Sequence, residues 1–150
     1  MAGRSIAIVD DHPMLMEGIA ALLERQGGFT LTATGTAAGD IVSITSVHHP
    51  DEMIVDLNMP GDVFQAIADA LRIAPETKII VFTASTSPDD AIRVLDAGAK
   101  GYVLKGSPGD DLIRALQAAQ QNDIYVSPSI ASRLIYAFKG SARTTEDGQQ

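Results

Sequence analysis

The sequence predicts an α/β fold, a doubly wound parallel sheet built from five strand–helix units, (βα)5, and three observations predict it. Short β-branched apolar runs recur at Ile6 to Val9, Phe29 to Ala33, Met53 to Val55, Ile79 to Phe82 and Tyr102 to Leu104, at intervals of about 22 to 27 residues. Between them lie stretches whose apolar residues return every three or four positions, the spacing of one helix face. Helix-start and helix-stop residues mark the joins. Strands alternating with single helices need crossovers, and right-handed crossovers cover both faces of a parallel sheet.

Each element has its own local reason. After the first run, Leu15, Ile19, Leu22 and Leu23 form a helical stripe, stopped by Gly27-Gly28. Phe29, Leu31 and Ala33 alternate with polar residues, as a strand with one wet face does. The second helical interval, around Ile41 and Ile44, is the least periodic. Val63, Ile67, Ala70 and Leu71 define the third helix; Ser87-Pro88-Asp89-Asp90 opens the fourth, whose stripe is Ala91, Val94, Leu95 and Gly98. Ser107-Pro108 opens the fifth, with Leu112, Ile113, Leu116 and Ala119. Beyond the repeat, Ser127-Pro128 caps an extra helix reaching about Lys139, with Ile130, Leu134 and Phe138 on one stripe. The small, polar stretch after Gly140 reads as a flexible tail. The expected organisation is a domain over 1–122, an appended helix or linker over 123–140 and a tail over 141–150.

Composition excludes several functions. A chain of 150 residues with 45% hydrophobic and 20% charged residues supports one domain with a buried core. Its 19 acidic residues outnumber 11 Lys and Arg, and the net charge of −8 repels phosphate backbones and anionic lipid. This segment is therefore not expected to bind nucleic acid or membrane. There is no Cys, which excludes disulfides and thiolate metal sites and suits a reducing compartment, so a cytoplasmic location is expected. Two acids interrupt the N-terminal apolar run before a signal-peptide core could form.

In an open parallel sheet, sites form beyond the carboxyl ends of the strands. Here the first strand ends in Asp10-Asp11, the third in Asp56, the fourth in Thr83 and the fifth in Lys105. In the flavodoxin-like strand order 2-1-3-4-5 the first and third strands are neighbours, and three carboxylates converge. At about 5 Å and an effective dielectric near 20, each like-charged pair costs roughly 3 kcal/mol. A divalent cation together with Lys105 cancels the three charges, and all-oxygen ligands suit Mg²⁺. A carboxylate beside such an ion attacks a phosphoryl donor in line, while a Lys ammonium and a Thr hydroxyl bind the transferred oxygens. Asp56 stands alone on its strand and is the expected nucleophile; Asp10 and Asp11 are the expected metal pair. Asn58, in the loop Leu57-Asn58-Met59-Pro60-Gly61, offers a backbone carbonyl to the same ion.

Four strings carry a resemblance: Val9-Asp10-Asp11-His12-Pro13, Asp56-Leu57-Asn58-Met59-Pro60-Gly61, Val81-Phe82-Thr83-Ala84, and the stretch from Asp96 to Lys105 ending Tyr102-Val103-Leu104-Lys105. In order and at strand ends, they resemble the receiver domain of a two-component response regulator over about residues 5 to 122. Asp10-Asp11-His12-Pro13, Lys105-Gly106-Ser107-Pro108 and Tyr125-Val126-Ser127-Pro128 are similar to the NarL/FixJ (LuxR-type) subfamily. The resemblance implies that Asp56 is the phosphoacceptor, with Mg²⁺ held by Asp10, Asp11, Asp56 and Asn58. It also implies that Thr83, Ala84 and Lys105 bind the phosphoryl group and that Tyr102 is a switch aromatic. The implied partners are a sensor histidine kinase and a second copy of the chain, with DNA bound through a C-terminal helix-turn-helix domain that this sequence does not encode.

Two departures accompany it. Asp62-Val63-Phe64-Gln65 follows Gly61 directly, implying a shorter or altered loop, and Gly106 stands where many receivers have Pro, so no cis peptide is expected there. His12 reads as an early helix residue and His48-His49 as a surface helix end. The alternatives are a stand-alone receiver, a docking module independent of phosphorylation, and an Asp-nucleophile phosphohydrolase. The last wants Asp-x-Asp after the first strand, which Asp10-Asp11-His12 does not supply. A nucleotide-binding module would need a Gly- or Ser/Thr-rich anion loop there, where the two carboxylates instead repel phosphate.

Overall fold

The computed structural model describes residues 3–148, with side chains described through residue 139. In chain order the elements are β1 (Arg4–Val9), α1 (Pro13–Gln26), β2 (Phe29–Gly35), α2 (Ala38–His48), β3 (Glu52–Val55) and α3 (Val63–Ile73). They continue with β4 (Lys78–Thr83), α4 (Pro88–Asp96), β5 (Gly101–Leu104), α5 (Gly109–Gln120), β6 (Tyr125–Val126) and α6 (Pro128–Gly148). The sheet order is β2-β1-β3-β4-β5-β6, parallel throughout, so the doubly wound order 2-1-3-4-5 holds with one strand added at the edge.

Side-chain alternation along the strands divides the core in two. Ile6, Ile8, Ile54, Ile80 and Val103 face α1 and α5 and pack on Ile19, Leu23, Leu112 and Leu116. Ala7, Val9, Met53, Val55, Val81 and Tyr102 face the other way, against α2, α3, α4 and the first turn of α6. The central strands are apolar on both faces because both are covered, and fully burying each aliphatic side chain contributes roughly 1.5–3 kcal/mol.

α2 forms despite its weak periodicity because its start is fixed locally: Asp40 accepts hydrogen bonds from the amides of Thr36 (2.8 Å) and Ala37 (3.1 Å). Ile41 and Ile44 then bury. The turn before α3 needs Gly61, whose φ is 94° and where a Cβ would come within 2.8 Å of Ala38 Cβ. Asp62 caps α3 by accepting from Gln65 N at 3.1 Å, so the short loop after β3 runs directly into that helix. All described peptide bonds are trans, Lys105–Gly106 included.

Two expectations are corrected at the C-terminal end. β6 is a strand beyond the five expected, since two residues carry no periodic signal; it exists because Tyr125 N donates to Lys100 O (3.0 Å) and Ser127 N to Tyr102 O (2.9 Å). The extra helix runs to Gly148 instead of ending near Lys139, so 141–148, expected as tail, is helical. The stretch has no Pro to stop a helix and contains the helix formers Ala142, Arg143 and Glu146. The last two tail positions lie outside the described residues. The expected stripe on α6 fades outward: Ile130 is fully buried, Leu134 packs partly on the core, and Phe138 is exposed. No helix is long and apolar enough to cross a membrane among the described residues.

Candidate functional site

Strand pairing sets the spacing of the site. Val9 and Val55 are register partners, and Asp56 N donates to Val9 O at 3.0 Å, which puts the carboxylates that follow β1 and β3 side by side. Thr83 and Leu104 are partners in the same way, and Lys105 N donates to Thr83 O at 2.8 Å. Asp56 and Thr83, each 2% exposed, lie at the floor of an open cleft of about 830 Å³, and Asp10, equally buried, sits behind them. Asn58 and Ala84, both exposed, line its mouth.

The charges converge as the residue types require. Lys105 Nζ lies 3.0 Å from Asp10 Oδ2 and 3.2 Å from Asp56 Oδ2, so one ammonium bridges two buried carboxylates. Asp11 stands at the rim. Three carboxylates against one ammonium leave two negative charges, and Asp56 Oδ1 is buried with no hydrogen-bond partner. An orphaned anionic oxygen among oxygen donors fits a hard dication such as Mg²⁺. Asp10, Asp11, Asp56 and the Asn58 carbonyl would hold it, and the ion would neutralise charge on an incoming phosphoryl group.

Behind this pocket, Tyr102 is fully buried and its hydroxyl donates to Ser85 O at 2.9 Å. Burial raises its pKa above the ordinary tyrosine value, with a smaller contribution from the charges of Asp90 and Asp56. Ser85 in turn donates from Oγ to Asp90 Oδ2 at 2.6 Å, and its amide donates to Thr83 Oγ1 at 3.3 Å. Tyr102 therefore does not line the cleft; it meets the loop that carries Thr83.

The sequence-derived residues Asp10, Asp11, Asp56, Asn58, Thr83, Ala84 and Lys105 all lie at this one end of the sheet, with Tyr102 set back from it. The reading of His12 as a mere early helix residue is corrected. His12 precedes α1, and its Nδ1 lies 2.8 Å from Asp10 Oδ1 and 3.1 Å from Asp11 Oδ1. The signal available was its position directly after two acids and before Pro13, which holds the ring over the pocket. His48 does end α2, with His49 in the left-handed conformation just after it.

A parallel five-unit sheet whose first and third strands end in three carboxylates, two of them bridged by a Lys, defines a class, the receiver modules. The model of the response regulator receiver domain matches residues 6–117, and the chain belongs to that family, in its NarL/LuxR-type branch. It is 33% identical over 144 residues to the oxygen regulatory protein NreC of Staphylococcus epidermidis, covering 94% of this chain and 66% of that protein. It is 30% identical over 143 residues to the nitrate/nitrite response regulator protein NarL of Escherichia coli, covering 95% of this chain and 66% of that one. The chain thus spans just under two thirds of the length of these relatives. Among solved structures, a LuxR-family two-component response regulator from Aurantimonas superposes with a TM-score of 0.86 at 30% identity, over 91% of this chain and 98% of that one. The isolated receiver domain of RcsB from Salmonella enterica serovar Typhimurium, solved with the phosphomimetic BeF3−, gives 0.80 at 30% identity, over 88% and 98%. Receiver domains of this kind are signalling modules of transcription regulation, and they generally bind Mg²⁺ at an acidic pocket.

Proposed function

We propose that this chain accepts a phosphoryl group on Asp56 from a sensor histidine kinase and uses the added charge to switch its surface. The observation that carries the reading is the Lys105 ammonium bridging Asp10 and Asp56 while Asp56 Oδ1 stays buried and unpartnered at the floor of an open cleft. In the reaction, an Asp56 oxygen attacks phosphorus as the bond to the donor's nitrogen breaks, and the electron pair leaves with that nitrogen. Bound Mg²⁺ supplies charge neutralisation. Lys105 moves from the two carboxylates to a phosphoryl oxygen, Thr83 donates its hydroxyl, and the Ala84 amide donates to a further oxygen.

The new group carries a charge of about −2 and three acceptor oxygens, enough to pull the Thr83 loop inward. Because Tyr102 holds Ser85 O, two residues along, that movement reaches the face formed by α4, β5 and α5. The output is dimerisation and control of transcription through a DNA-binding domain outside this chain. The chain works in the cytoplasm, with 1–122 as the receiver and 123–140 as its appended segment. Incubation with Mg²⁺ and acetyl phosphate should add one phosphate to the intact mass and no more. Asp56→Asn should take up none, and equal uptake by that variant overturns the assignment.

A further inference from the structure

We infer that the groove between α4 and α6 is the surface on which a second copy of this chain docks. The inference rests on the reading of the chain as a phosphorylation-switched dimer and places the contact. β6 pairs along the outer edge of β5, with Ser127 N donating to Tyr102 O at 2.9 Å, and the Tyr125 hydroxyl donates to Asp111 Oδ1 on α5 at 2.9 Å. The appended segment therefore covers that edge and leans on α5, so the accessible part of the face formed by α4, β5 and α5 is its α4 side. There Ile130 joins the core cluster that holds Ala91 and Val94 of α4, and α6 runs on beyond it.

What α6 leaves uncovered matches itself in both apolar surface and charge. Ile135, Tyr136 and Phe138 are 59%, 81% and 62% exposed, three large apolar side chains within four residues of one helix. An open groove of about 620 Å³ lies alongside, with Pro88 of α4 on one wall and Arg133, Tyr136 and Ala137 of α6 on the other. Asp89 follows Pro88 and is exposed, as Arg133 is, and neither has an ion-pair partner among the described residues. α6 carries no acid from Pro128 to Lys139. A surface with a cation on one wall and a carboxylate on the other is complementary to itself under a two-fold axis. That axis sets Arg133 against Asp89 of the partner subunit, and Tyr136 enters the partner subunit's groove. Three apolar side chains make a small contact against the roughly 800 Å² per partner of a standard interface, so pairing depends on how the groove is set. Pro88 and Asp89 follow directly on the loop that carries Thr83 and Ser85, whereas α6 is held by the buried Ser127 and Ile130. A shift of that loop toward a phosphoryl group moves one wall of the groove against the other.

Sedimentation of the whole chain with Mg²⁺ and acetyl phosphate measures the dimer, and the intact mass of the same samples reports phosphate uptake. Arg133→Asp alone and Asp89→Arg alone should each weaken the dimer about tenfold or more, because each sets like charges opposite one another twice. An equal mixture of the two variants should restore association to within about threefold of the natural chain, since both reversed pairs then match. Tyr136→Ser should weaken the dimer by about tenfold as well. Gln117→Arg, on the exposed side of α5, should leave it unchanged. The side chains changed are exposed, so urea unfolding midpoints should stay where they are and exclude a folding defect. A dimer that tolerates Arg133→Asp and Tyr136→Ser, a mixture that fails to restore it, or a loss on Gln117→Arg overturns the inference. So does a chain that stays monomeric at every concentration, whether or not Asp56 carries phosphate. A chain that dimerises through Arg133 without taking up phosphate sinks the Asp56 mechanism alone and leaves the surface standing.

Discussion

At the scale of single residues, the site is a balance of charges that the fold does not neutralise. Among the described residues Lys105 is the one ammonium within 3.2 Å of Asp10 and Asp56, and its removal leaves the site more anionic. Lys105→Met should therefore tighten Mg²⁺ binding by about tenfold, corresponding to roughly 1–2 kcal/mol of restored Coulomb attraction, while abolishing the switched state. Calorimetry checks the first part, and weaker Mg²⁺ binding would contradict it. Asp56 meets two like-charged neighbours and leaves one oxygen orphaned, so metal-free Asp56→Asn should be more stable by about 1 kcal/mol in urea unfolding. Most of this set was legible in the sequence, because a polar residue that ends a buried apolar run has only one place to go. His12 was not, because its role depends on where the ring turns once Pro13 starts α1, which no spacing rule encodes.

At the scale of elements, the loop carrying Lys105 is pinned by the segment that follows α5. Ser127 is fully buried; its Oγ accepts from Leu104 N at 3.0 Å and lies 3.3 Å from Ser107 Oγ. Its backbone carbonyl accepts from the amides of Ile130 and Ala131 at 2.9 Å each, starting α6. Ser127→Ala should cost about 1–3 kcal/mol, because it strands the Leu104 amide in a buried setting, and Ser127→Thr should recover part of the loss if its methyl fits. Denaturant unfolding measures both, and a loss below about 0.5 kcal/mol would contradict the pinning. The five main strands and helices were legible from apolar runs and caps. β6 was not, since its two residues pair only because Gly101 and Tyr102 present a free edge, and neither was the length of α6, which depends on helix propensity without an apolar stripe.

At the scale of the whole molecule, the two ends of the sheet carry different electrostatics. Opposite the site, Glu52 is fully buried at the start of β3, paired with Arg4 Nε on one oxygen and unpartnered on the other. Burial raises its pKa above 4.5, and the Arg4 interaction only partly offsets that. A carboxyl whose pKa rises on folding contributes stability below its unfolded pKa and loses that contribution as pH climbs through the folded value. The stability of Glu52→Gln relative to the natural chain should therefore grow from about pH 4.5 towards neutrality. Urea unfolding across that range checks it, and a difference that does not change with pH would contradict it.

The central claim, that Asp56 forms the acyl phosphate, is tested most directly by borohydride trapping after incubation with Mg²⁺ and acetyl phosphate. Reduction converts a phosphorylated aspartyl side chain to homoserine, and peptide sequencing by mass spectrometry locates it. Homoserine should be found at position 56 and nowhere else; homoserine at position 10 or 11, or none in a chain that has taken up phosphate, would rule out Asp56 as the acceptor.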